Sequence, residues 1–506
     1  MSWLITALRQ RAAVAPDRVA LCAGEVTLSY GDVYTEAERL TGWLSENDAE
    51  RIGLLMDNSL AWALLDIGCM SAGKVLIPIP AFFSPTQIAG LIADADIDLL
   101  LTDQPDRLIA IGEQDQPWLI FEVREVAGTA ISCLVPKTRN NDRSLRPALP
   151  AGTVKITYTS GSTGDPKGVC LSSGLLQQVT TELTAAMKID SSYQHLCLLP
   201  LAVLLENVAG LYVALLGGAS CRLEPLETLG WRGMTDFDFT QLAAVMATRP
   251  VDSLILVPAL LAGLLVLAEH QPDSVKKLRL VAVGGAAVSA GQLGAAEQLG
   301  LPLYQGYGLS ECGSVVAVNR PGENRPGSVG KPLPHQQLKI INDGQIWIEC
   351  QGVSAYLGRE QLSDNQWWPT GDRGHLDDDG YLYIEGRQDN LLLTPFGRNV
   401  SPEWVEGLLI DQSAIQQAVV LSGSMGHLAA LLVSNTASAE QFEQAVVEVN
   451  QQLPDYAQVM GWRSGDQPLT QENGLLTRGG LPSRERVAQY YQQLSLPTFN
   501  VEQTAE

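Results

Sequence analysis

Positive charge is scarce in this sequence. The chain of 506 residues has 33 Lys and Arg against 56 Asp and Glu, which gives a formal net charge of −23 at pH 7. A protein with that charge repels phosphate backbones and anionic lipid head groups. The composition therefore argues against a dedicated nucleic-acid-binding or membrane-surface protein. Any polyanionic ligand must be held by a local site.

Paired cysteines and long apolar runs are also lacking. The eight cysteines are scattered, with no C-x-x-C and no His at ligand spacing, so we expect buried thiols rather than a disulfide framework or a zinc site. The most apolar window, residues 254–268, is shorter than the roughly 18–20 residues that span a bilayer. The N-terminus lacks the basic segment and apolar run of a secretory signal. These features predict a cytoplasmic protein with no integral membrane segment.

Apolar runs of strand length alternate with helix-length segments through the first half of the chain, which is typical of βαβ units. From residue 337 the pattern changes to short alternating segments joined by Asn-Asp-Gly and Asp-Asp-Asp-Gly turns, which predict antiparallel hairpins. A smaller α+β pattern follows residue 386. The sequence thus predicts an α/β fold with a large N-terminal domain (residues 1–386) of layered, mostly parallel sheets with helices plus a small antiparallel β subdomain. A small α+β C-terminal domain (residues 387–506) follows it.

The sharpest motif is a loop at the end of an apolar run, Thr-Tyr-Thr-Ser-Gly-Ser-Thr-Gly-Asp-Pro-Lys-Gly at residues 157–168. Small residues let a backbone approach a polyphosphate closely, and the hydroxyls and turned-in N–H groups can donate to its oxygens. Lys167 is the single cation of the loop. The pattern differs from the P-loop because no G-K-[ST] opens a helix. The alternative, a Ser/Gly turn without a ligand, would need twelve consecutive matching positions to be coincidental.

With this loop and four further motifs in order, the sequence resembles the adenylate-forming superfamily of acyl-CoA synthetases, peptide-synthetase adenylation domains and firefly-type luciferases. The further motifs are Val-Gly-Gly-Ala (283–286), Gln-Gly-Tyr-Gly-Leu-Ser-Glu (305–311), Pro-Thr-Gly-Asp (369–372) and Gly-Arg-Gln-Asp (386–389). Phe-Gly-Arg-Asn-Val-Ser-Pro-Glu-Trp-Val-Glu (396–406) resembles the segment that opens the small domain. The resemblance covers nearly the whole chain and implies that the small domain is mobile about a hinge at Asp389.

The resemblance implies that the protein binds ATP and Mg²⁺. Thr163 and Glu311 would hold the metal, Asp372 would accept both ribose hydroxyls, and Tyr307 would stack against adenine. Oxygen ligands suit Mg²⁺, and two anions that must react need their charge neutralised. The predicted catalytic residues are Thr163, Lys167 and Glu311. The predicted nucleotide-binding residues are Thr159, Ser160, Gly161, Ser162, Thr163, Gly164, Lys167, Gly284, Gly285, Ala286, Gln305, Gly306, Tyr307, Gly308, Leu309, Ser310, Asp372 and Arg387. Taken singly, Glu311 is also compatible with a solvated carboxylate, Asp372 with a turn and Tyr307 with the core.

One departure from the family is a missing lysine. The family's small domain carries a C-terminal lysine that reaches the α-phosphate, but the two possible alignments place Leu475 or Leu481 there, and the last lysine of the chain is Lys339. Three explanations stay open. Arg478, Arg484 or Arg486 supplies the charge, with Arg484 and Arg478 as tentative substitutes. The large domain adenylates slowly alone, or the protein binds nucleotide or acyl-adenylate without making it efficiently.

A second departure concerns the acyl pocket. The segment 198–208 resembles the family's L-P-L-x-H, but the His position holds Val203 or Leu204. An apolar residue there favours an apolar acyl chain. The predicted acyl pocket comprises Val203, Leu204, Val257, Gly285 and Gly306. The apolar run 254–268 could add to this pocket or belong to the plain core.

A glycine in the small domain bears on the second half-reaction. Gly397 corresponds to the family glycine that lets pantetheine pass, which favours a thiol acceptor, either CoA or carrier-protein phosphopantetheine. The sequence therefore predicts an AMP-forming acid–thiol ligase that activates a small-molecule carboxylate, a fatty or otherwise apolar acid, with an acyl carrier protein as a possible partner. The alternatives are a binder of acyl-adenylate or nucleotide without efficient adenylation, and an adenylating ligase with an amine or hydroxyl acceptor.

Overall fold

The structure is a computed structural model of the chain. It describes residues 2–112, 118–137, 146–159, 167–232, 236–285, 288, 290–341, 344–350, 355–358, 366–387, 392–394, 397–400, 402–423, 427–470, 473–476 and 482–492. The described residues divide into two compact units, a large one that extends to residue 387 and a small one that begins at residue 392. No helix in these ranges is both long enough and apolar enough to cross a membrane.

The large unit contains most of the secondary structure. Its helices are α1 (Trp3–Val14), α2 (Tyr30–Glu46), α3 (Leu60–Ser71), α4 (Pro85–Ala95), α5 (Pro105–Gly112), α6 (Ser173–Ala186), α7 (Val213–Gly217), α8 (Leu226–Leu229), α9 (Phe239–Thr248), α10 (Pro258–His270), α11 (Pro272–Val275) and α12 (Ala290–Gln298). Its strands are β1 (Val19–Ala23), β2 (Val26–Ser29), β3 (Arg51–Leu55), β4 (Val75–Pro78), β5 (Leu99–Thr102), β6 (Trp118–Val126), β7 (Thr129–Pro136), β8 (Thr153–Thr159), β9 (Lys167–Ser172), β10 (Gln194–Leu196), β11 (Ser220–Arg222), β12 (Trp231–Arg232), β13 (Asp236–Phe237), β14 (Ser253–Leu256), β15 (Leu280–Val283), β16 (Leu303–Tyr307), β17 (Ala317–Val318), β18 (Lys331–Pro332), β19 (Leu338–Ile340), β20 (Gln345–Cys350), β21 (Ala355–Tyr356), β22 (Gln366–Leu376) and β23 (Leu382–Arg387).

Two large sheets with parallel interiors organise this unit. One has the order β18-β17-β16-β15-β14-β10-β11-β1-β2, and the other has the order β21-β9-β8-β4-β3-β5-β7-β6. A third sheet, β19-β20-β22-β23, is antiparallel throughout. Buried parallel strands need apolar residues on both faces, which is why β3, β4, β5 and β14 are buried at every position. The architecture confirms the predicted α/β class with its small antiparallel β subdomain.

Helix α2 illustrates how the sequence sets an element. Ser29 accepts a hydrogen bond from the Asp32 backbone N–H, and the Asp32 carboxylate accepts one from the Ser29 N–H, which forms a capping box. Buried residues at helical spacing, including Val33, Leu40 and Leu44, then face the main core. The amphipathic pattern alone predicted this helix.

The most apolar window of the sequence is a strand followed by a helix. Residues 254–256 belong to β14 and residues 258–268 to α10, with Val257 between them. Both elements are largely buried because β14 is an interior strand of the first large sheet. The seven cysteines whose side chains are described are free and buried, as predicted.

The small unit contains β24 (Leu392–Leu393), β25 (Asn399–Val400), β26 (Gln417–Ser422), β27 (Leu428–Val433), β28 (Val459–Ser464), α13 (Pro402–Ile410), α14 (Ala439–Asn450) and α15 (Arg484–Gln492). Strand β27 is the centre of a three-stranded sheet, antiparallel to β26 and parallel to β28. An apolar cluster packs on this sheet and consists of Val419, Leu431, Val433, Leu469, Leu475 and Val487.

Candidate functional site

Strand β16 and the turn that follows it carry most of the Gln-Gly-Tyr-Gly-Leu-Ser-Glu motif. Glu311 lies in a 3₁₀ turn (Ser310–Cys312) directly after the strand. The chain folds back tightly here, since a Cβ added to Gly308 would lie 1.7 Å from the Ser314 carbonyl oxygen. Glycine at position 308 is therefore required by a close approach of two backbone segments. The turn fixes the position of Glu311 relative to β16.

Tyr307 and Asp372 meet although they are 65 positions apart in the sequence. The Tyr307 hydroxyl donates to Asp372 Oδ2 at 2.6 Å. The Asp372 backbone N–H donates to Thr370 Oγ1 at 3.0 Å, and the Thr370 hydroxyl donates to the Ile346 carbonyl at 2.9 Å. Burial, and secondly the Asp372 carboxylate, hold the pKa of Tyr307 well above its usual range, so the phenol stays a neutral donor. The predicted adenine and ribose residues thus form one hydrogen-bonded group.

Glu311 belongs to a neighbouring group that includes Tyr356, a residue that sequence reasoning missed. The Tyr356 hydroxyl donates to Glu311 Oε1 at 2.6 Å. The Lys167 ammonium lies 6.0 Å from the centroid of the Tyr356 ring, and Trp368 packs against the same ring at 5.8 Å. Tyr356 follows the Cys-Gln-Gly-Val-Ser-Ala segment with no local signal of a function. Only the tertiary structure brings it between the predicted metal carboxylate and the predicted phosphate lysine.

The predicted phosphate loop connects two paired strands. Thr159 is the last residue of β8 and Lys167 the first of β9, and these two residues are register partners in an antiparallel pair. Ser160, Gly161, Ser162, Thr163 and Gly164 lie outside the described residues. The hydroxyl of Tyr158, just before the loop, donates a hydrogen bond to Asp94 Oδ2 at 2.7 Å. The two ends of the loop are therefore fixed by the sheet.

The glycine motif after β15 lies beside β16. The Gly284 N–H donates to the Leu256 carbonyl at 3.2 Å, and a Cβ on Gly284 would lie 3.3 Å from the Gly306 carbonyl oxygen. Gly285 has φ +84°, a conformation that favours glycine. Ala286 lies outside the described residues. The side chain of Gln305 is buried and accepts a hydrogen bond from the Gly327 N–H at 3.0 Å. Gln305 therefore supports the backbone in this structure.

The ribose prediction for Arg387 depends on the register of the antiparallel sheet. Asp372 on β22 and Arg387 on β23 are register partners. Their backbones are therefore adjacent, while the side chain of Arg387 lies outside the described part of the chain. Leu309 and Ser310 form the backbone turn between Gly308 and Glu311.

The predicted acyl wall is apolar where the structure describes it. Leu204 and Val257 are each 6% exposed, and Val203 is half-buried. Leu204 stands just before a π-helical segment (Glu206–Tyr212). Such segments are rare and occur frequently at functional sites.

Two buried polar clusters anchor that π-helical segment, and neither was predicted from the sequence. Glu206 Oε1 contacts His195 Nε2 at 2.8 Å, and Glu206 Oε2 accepts from the Leu199 N–H at 2.9 Å. A Cβ on Gly210 would lie 2.1 Å from Glu206 Oε1, so the helix approaches this carboxylate closely. Cys197 adds a sulfur to the same cluster, whose ligand-type atoms lie within 4.8 Å of one another. Since these groups satisfy one another, the cluster is a structural anchor beside Leu204.

The second anchor joins the π-helical segment to β8. Lys155 is 1% exposed and contacts Asp66 Oδ1 and the Tyr212 hydroxyl, each at 2.8 Å. Asn207 also accepts from Lys155 and donates to Asp66 Oδ2 at 2.8 Å. A buried lysine is tolerated only with such partners, because desolvation disfavours its charge. Strand β8, which carries the phosphate loop, is thereby fixed to the predicted acyl wall.

In the small unit, Arg484 is bonded to a carboxylate. Its Nη2 contacts Glu406 Oε1 at 2.8 Å and Oε2 at 2.7 Å, with 11% and 8% of the two side chains exposed. Leu475, one of the two possible lysine positions, is 3% exposed in the apolar cluster of this unit. Arg478, Leu481 and Asp389 lie outside the described residues.

Gly397 occupies a turn between β24 and β25. It has φ +71°, and its N–H donates to the Thr394 carbonyl at 2.9 Å. This conformation favours glycine independently of any passage of a thiol. The glycine therefore has a structural reason as well as the one implied by the resemblance.

Comparison with known proteins supplies the family. The profile of the family described as AMP-binding enzyme matches residues 8–353. Among curated proteins, the long-chain-fatty-acid–CoA ligase FadD15 of Mycobacterium bovis is 28% identical over 452 residues, covering 78% of this chain and 74% of the relative. The 2-succinylbenzoate–CoA ligase of Bacillus pumilus is 27% identical over 440 residues, covering 83% of this chain and 84% of the relative.

A solved structure shares the fold. It is a double mutant of the o-succinylbenzoate CoA synthetase (MenE) of Bacillus subtilis, with a TM-score of 0.76 and 22% identity. The similarity covers 96% of this chain and 98% of that one. Large mixed sheets followed by a small unit are thus common to both proteins.

Proposed function

The chain belongs to the AMP-binding enzyme family, and it is an AMP-forming ligase of the acyl-CoA synthetase kind. On that premise we propose that it joins ATP and an acid with an apolar body to form acyl-AMP, and then transfers the acyl group to a thiol. The family match carries this proposal. The Tyr307–Asp372 and Tyr356–Glu311 groups support it, because they place two of the predicted functional carboxylates in the same unit as Lys167.

We assign the nucleotide to the groups around β16. Tyr307 stacks against adenine, Asp372 accepts the ribose hydroxyls and Arg387 adds a donor. The loop 159–168 holds the phosphates with its hydroxyls, its backbone N–H groups and Lys167. The distances of the Asp372 group support this role. Tyr307 fixes the carboxylate and Thr370 holds the Asp372 backbone N–H, which preorganises the carboxylate to receive two hydroxyl donors.

The donor chemistry at Glu311 fits the Mg²⁺ that the family implies. Mg²⁺ prefers oxygen ligands and is usually bound by one or two carboxylates plus substrate phosphates. Glu311 offers carboxylate oxygens, and the Tyr356 hydroxyl that donates to its Oε1 brings no charge of its own. We propose Glu311 and Thr163 as the residues that hold the ion, which when bound neutralises charge on the phosphates.

The reaction has two balanced steps. A carboxylate oxygen of the acid attacks the α-phosphorus of ATP, an O–P bond forms, the bond between the α- and β-phosphates breaks, and pyrophosphate leaves. The thiolate of the acceptor then attacks the acyl carbon, a C–S bond forms, the bond between the acyl carbon and the phosphate oxygen of AMP breaks, and AMP leaves. The protein contributes alignment of two anions and local positive charge, for which Lys167 is the described candidate.

The substrate is proposed to have an apolar body because the predicted wall is apolar. Either Val203 or Leu204 stands where the family has a histidine, and Val257 adds a further aliphatic side chain. The relatives named as ligases of long-chain fatty acids and of 2-succinylbenzoate act on acids with substantial hydrocarbon parts. A fatty acid is the first acid that we would test.

The acceptor is proposed to be CoA or the phosphopantetheine of an acyl carrier protein. Both acceptors are anionic, so a chain with a net charge of −23 must hold either of them at a local site. Arg484, one of the few cations of the small unit, is paired with Glu406 rather than presented to a partner.

A second candidate function is binding of acyl-adenylate or nucleotide without efficient adenylation. The burial of Leu475 favours it, since this position packs among aliphatic side chains and presents no cation. Loss of one such transition-state contact costs on the order of 10²–10³ in rate, which slows adenylation without abolishing it.

Two measurements test the proposal together. Pyrophosphate release is followed with a panel of fatty and aryl acids, with and without CoA, and a synthetic acyl-AMP is separately supplied with CoA. We expect pyrophosphate release with an apolar acid and acyl-CoA from acyl-AMP. Acyl transfer without pyrophosphate release would favour the second candidate, and neither activity across the panel would refute the ligase.

A further inference from the structure

Both predicted functional carboxylates receive a hydrogen bond from a tyrosine. Tyr307 donates to Asp372 and Tyr356 donates to Glu311, each at 2.6 Å. Hydrogen bonds to ionised acceptors are stronger than those between neutral groups and fix the acceptor's orientation. A phenol does this without neutralising the carboxylate, whereas an arginine or lysine in its place would oppose a bound cation.

Tyr356 is held in place by elements of the phosphate-loop sheet. It lies on β21 opposite Val169 of β9, and the Leu357 N–H donates to the Gly168 carbonyl at 2.8 Å. Its ring packs against Trp368 with the planes tilted by 57°. The hydroxyl therefore points from a fixed backbone, and that backbone is paired with the strand that begins at Lys167.

We propose that Tyr356 is a positioning residue that orients Glu311 for the cation of Mg–ATP. The inference rests on the proposed function, since it takes Glu311 as the residue that meets the metal. Tyr356 ties the turn after β16, which carries Glu311, to the strand that leaves the phosphate loop. It thereby sets the carboxylate relative to the place where the phosphates are bound.

The main test is calorimetric binding of ATP to the full-length Tyr356→Phe variant, in EDTA and over a series of Mg²⁺ concentrations. The phenyl ring keeps the packing on Trp368 and removes only the hydroxyl. We expect ATP affinity in EDTA to be unchanged, while the gain in affinity from Mg²⁺ falls about tenfold to a hundredfold, as for one lost hydrogen bond to a charged group. An unchanged gain would overturn the proposal.

A double-mutant cycle separates positioning from simple structural support. Glu311→Gln removes the charge through which Tyr356 acts, so adding Tyr356→Phe to it should have no further effect on the Mg²⁺ gain. Equal effects of Tyr356→Phe in both backgrounds would show that the phenol acts elsewhere. Tyr383→Phe is the matched control, because it removes another phenol–carboxylate contact of the large unit, to Asp377 at 3.4 Å. It should leave the Mg²⁺ gain unchanged.

Tyr307→Phe gives the complementary result. It perturbs Asp372 and should lower ATP affinity by the same factor with and without Mg²⁺. The wild type distinguishes failure of the function from failure of the inference. If it binds Mg–ATP but releases no pyrophosphate, the ligase proposal fails while the cycle still decides the role of Tyr356. If it binds no ATP under either condition, both are overturned.

Discussion

Removing Arg484 should destabilise the small unit strongly. The substitution Arg484→Met leaves Glu406 as a buried carboxylate without its bidentate partner, where Nη2 now contacts both oxygens at 2.7 and 2.8 Å. Breaking a buried pair by removing one member costs about 3–5 kcal/mol, because an uncompensated charge remains. The pair joins α15 to α13, so its loss should weaken the packing of these two helices of the small unit.

Amide hydrogen exchange in the small unit measures this loss of stability locally. The Val420 N–H donates to Glu406 Oε1 at 2.7 Å, so its exchange depends directly on the pair. A loss of about 3 kcal/mol corresponds to more than a hundredfold faster exchange through local opening. The double variant Arg484→Met with Glu406→Met removes both charges and should recover most of the protection.

One pair of results would refute a structural role for Arg484. If Arg484→Met left Val420 exchange unchanged and abolished pyrophosphate release, Arg484 would be serving the reaction rather than the small unit. The suggestion that Arg484 replaces the missing lysine would then stand. Arg484 is paired with Glu406 in the structure, so it could replace the lysine only if this ion pair broke.

Three further predictions concern single positions. Leu475→Lys should not restore fast adenylation and should lower the small unit's stability by about 3 kcal/mol, measured by hydrogen exchange, because it buries an ammonium among aliphatic side chains. Gly308→Ala should cost about 1–3 kcal/mol in thermal unfolding and weaken ATP binding, since its Cβ would overlap the Ser314 carbonyl; unchanged ATP binding would contradict the close approach. Burial raises the pKa of Asp57, so the folded state binds this proton more tightly than the unfolded state does. The stability that the group contributes is therefore lost as the pH rises from the ordinary carboxyl pKa of about 4 through the raised pKa of the folded state. Asp57→Asn should flatten the Tm–pH profile over that range, and an identical profile would contradict it.

Much of the fold was predictable because local pattern and tertiary environment agree. The apolar run at 99–102 predicted a buried strand and coincides with β5, and the helical spacing at 30–44 predicted α2. Likewise the Asn-Asp-Gly turn predicted the hairpin of β19 and β20. In each case the residues that set the element lie within it.

The hairpin of β6 and β7 was only partly predicted. The run at 118–121 predicted a strand, but β6 continues to Val126 and turns at Ala127 and Gly128, which have φ +47° and +81°. Alanine is rarely found in the left-handed region, so the dipeptide gives a weak turn signal. The strand itself is fixed by pairing with β7, which the local sequence does not encode.

The residues of the candidate site divide in the same way. Asp372 and Glu311 were predicted because their motifs are contiguous in the sequence. Tyr356 and Lys155 were not, since a tyrosine and a lysine among neutral neighbours have no local signature. Their roles depend on partners at positions 311 and 66, which only the folded chain brings near.

We propose that Asp372, Glu311 and the loop 159–168 form one site for ATP and its metal. Exchange of labelled pyrophosphate into ATP, measured with an apolar acid, tests it most directly because it needs only the first half-reaction. We expect acid-dependent exchange by the wild type that falls at least tenfold in Asp372→Asn and in Glu311→Gln, while Tyr383→Phe retains it. Exchange that is unaffected by both of the first two substitutions would contradict the account.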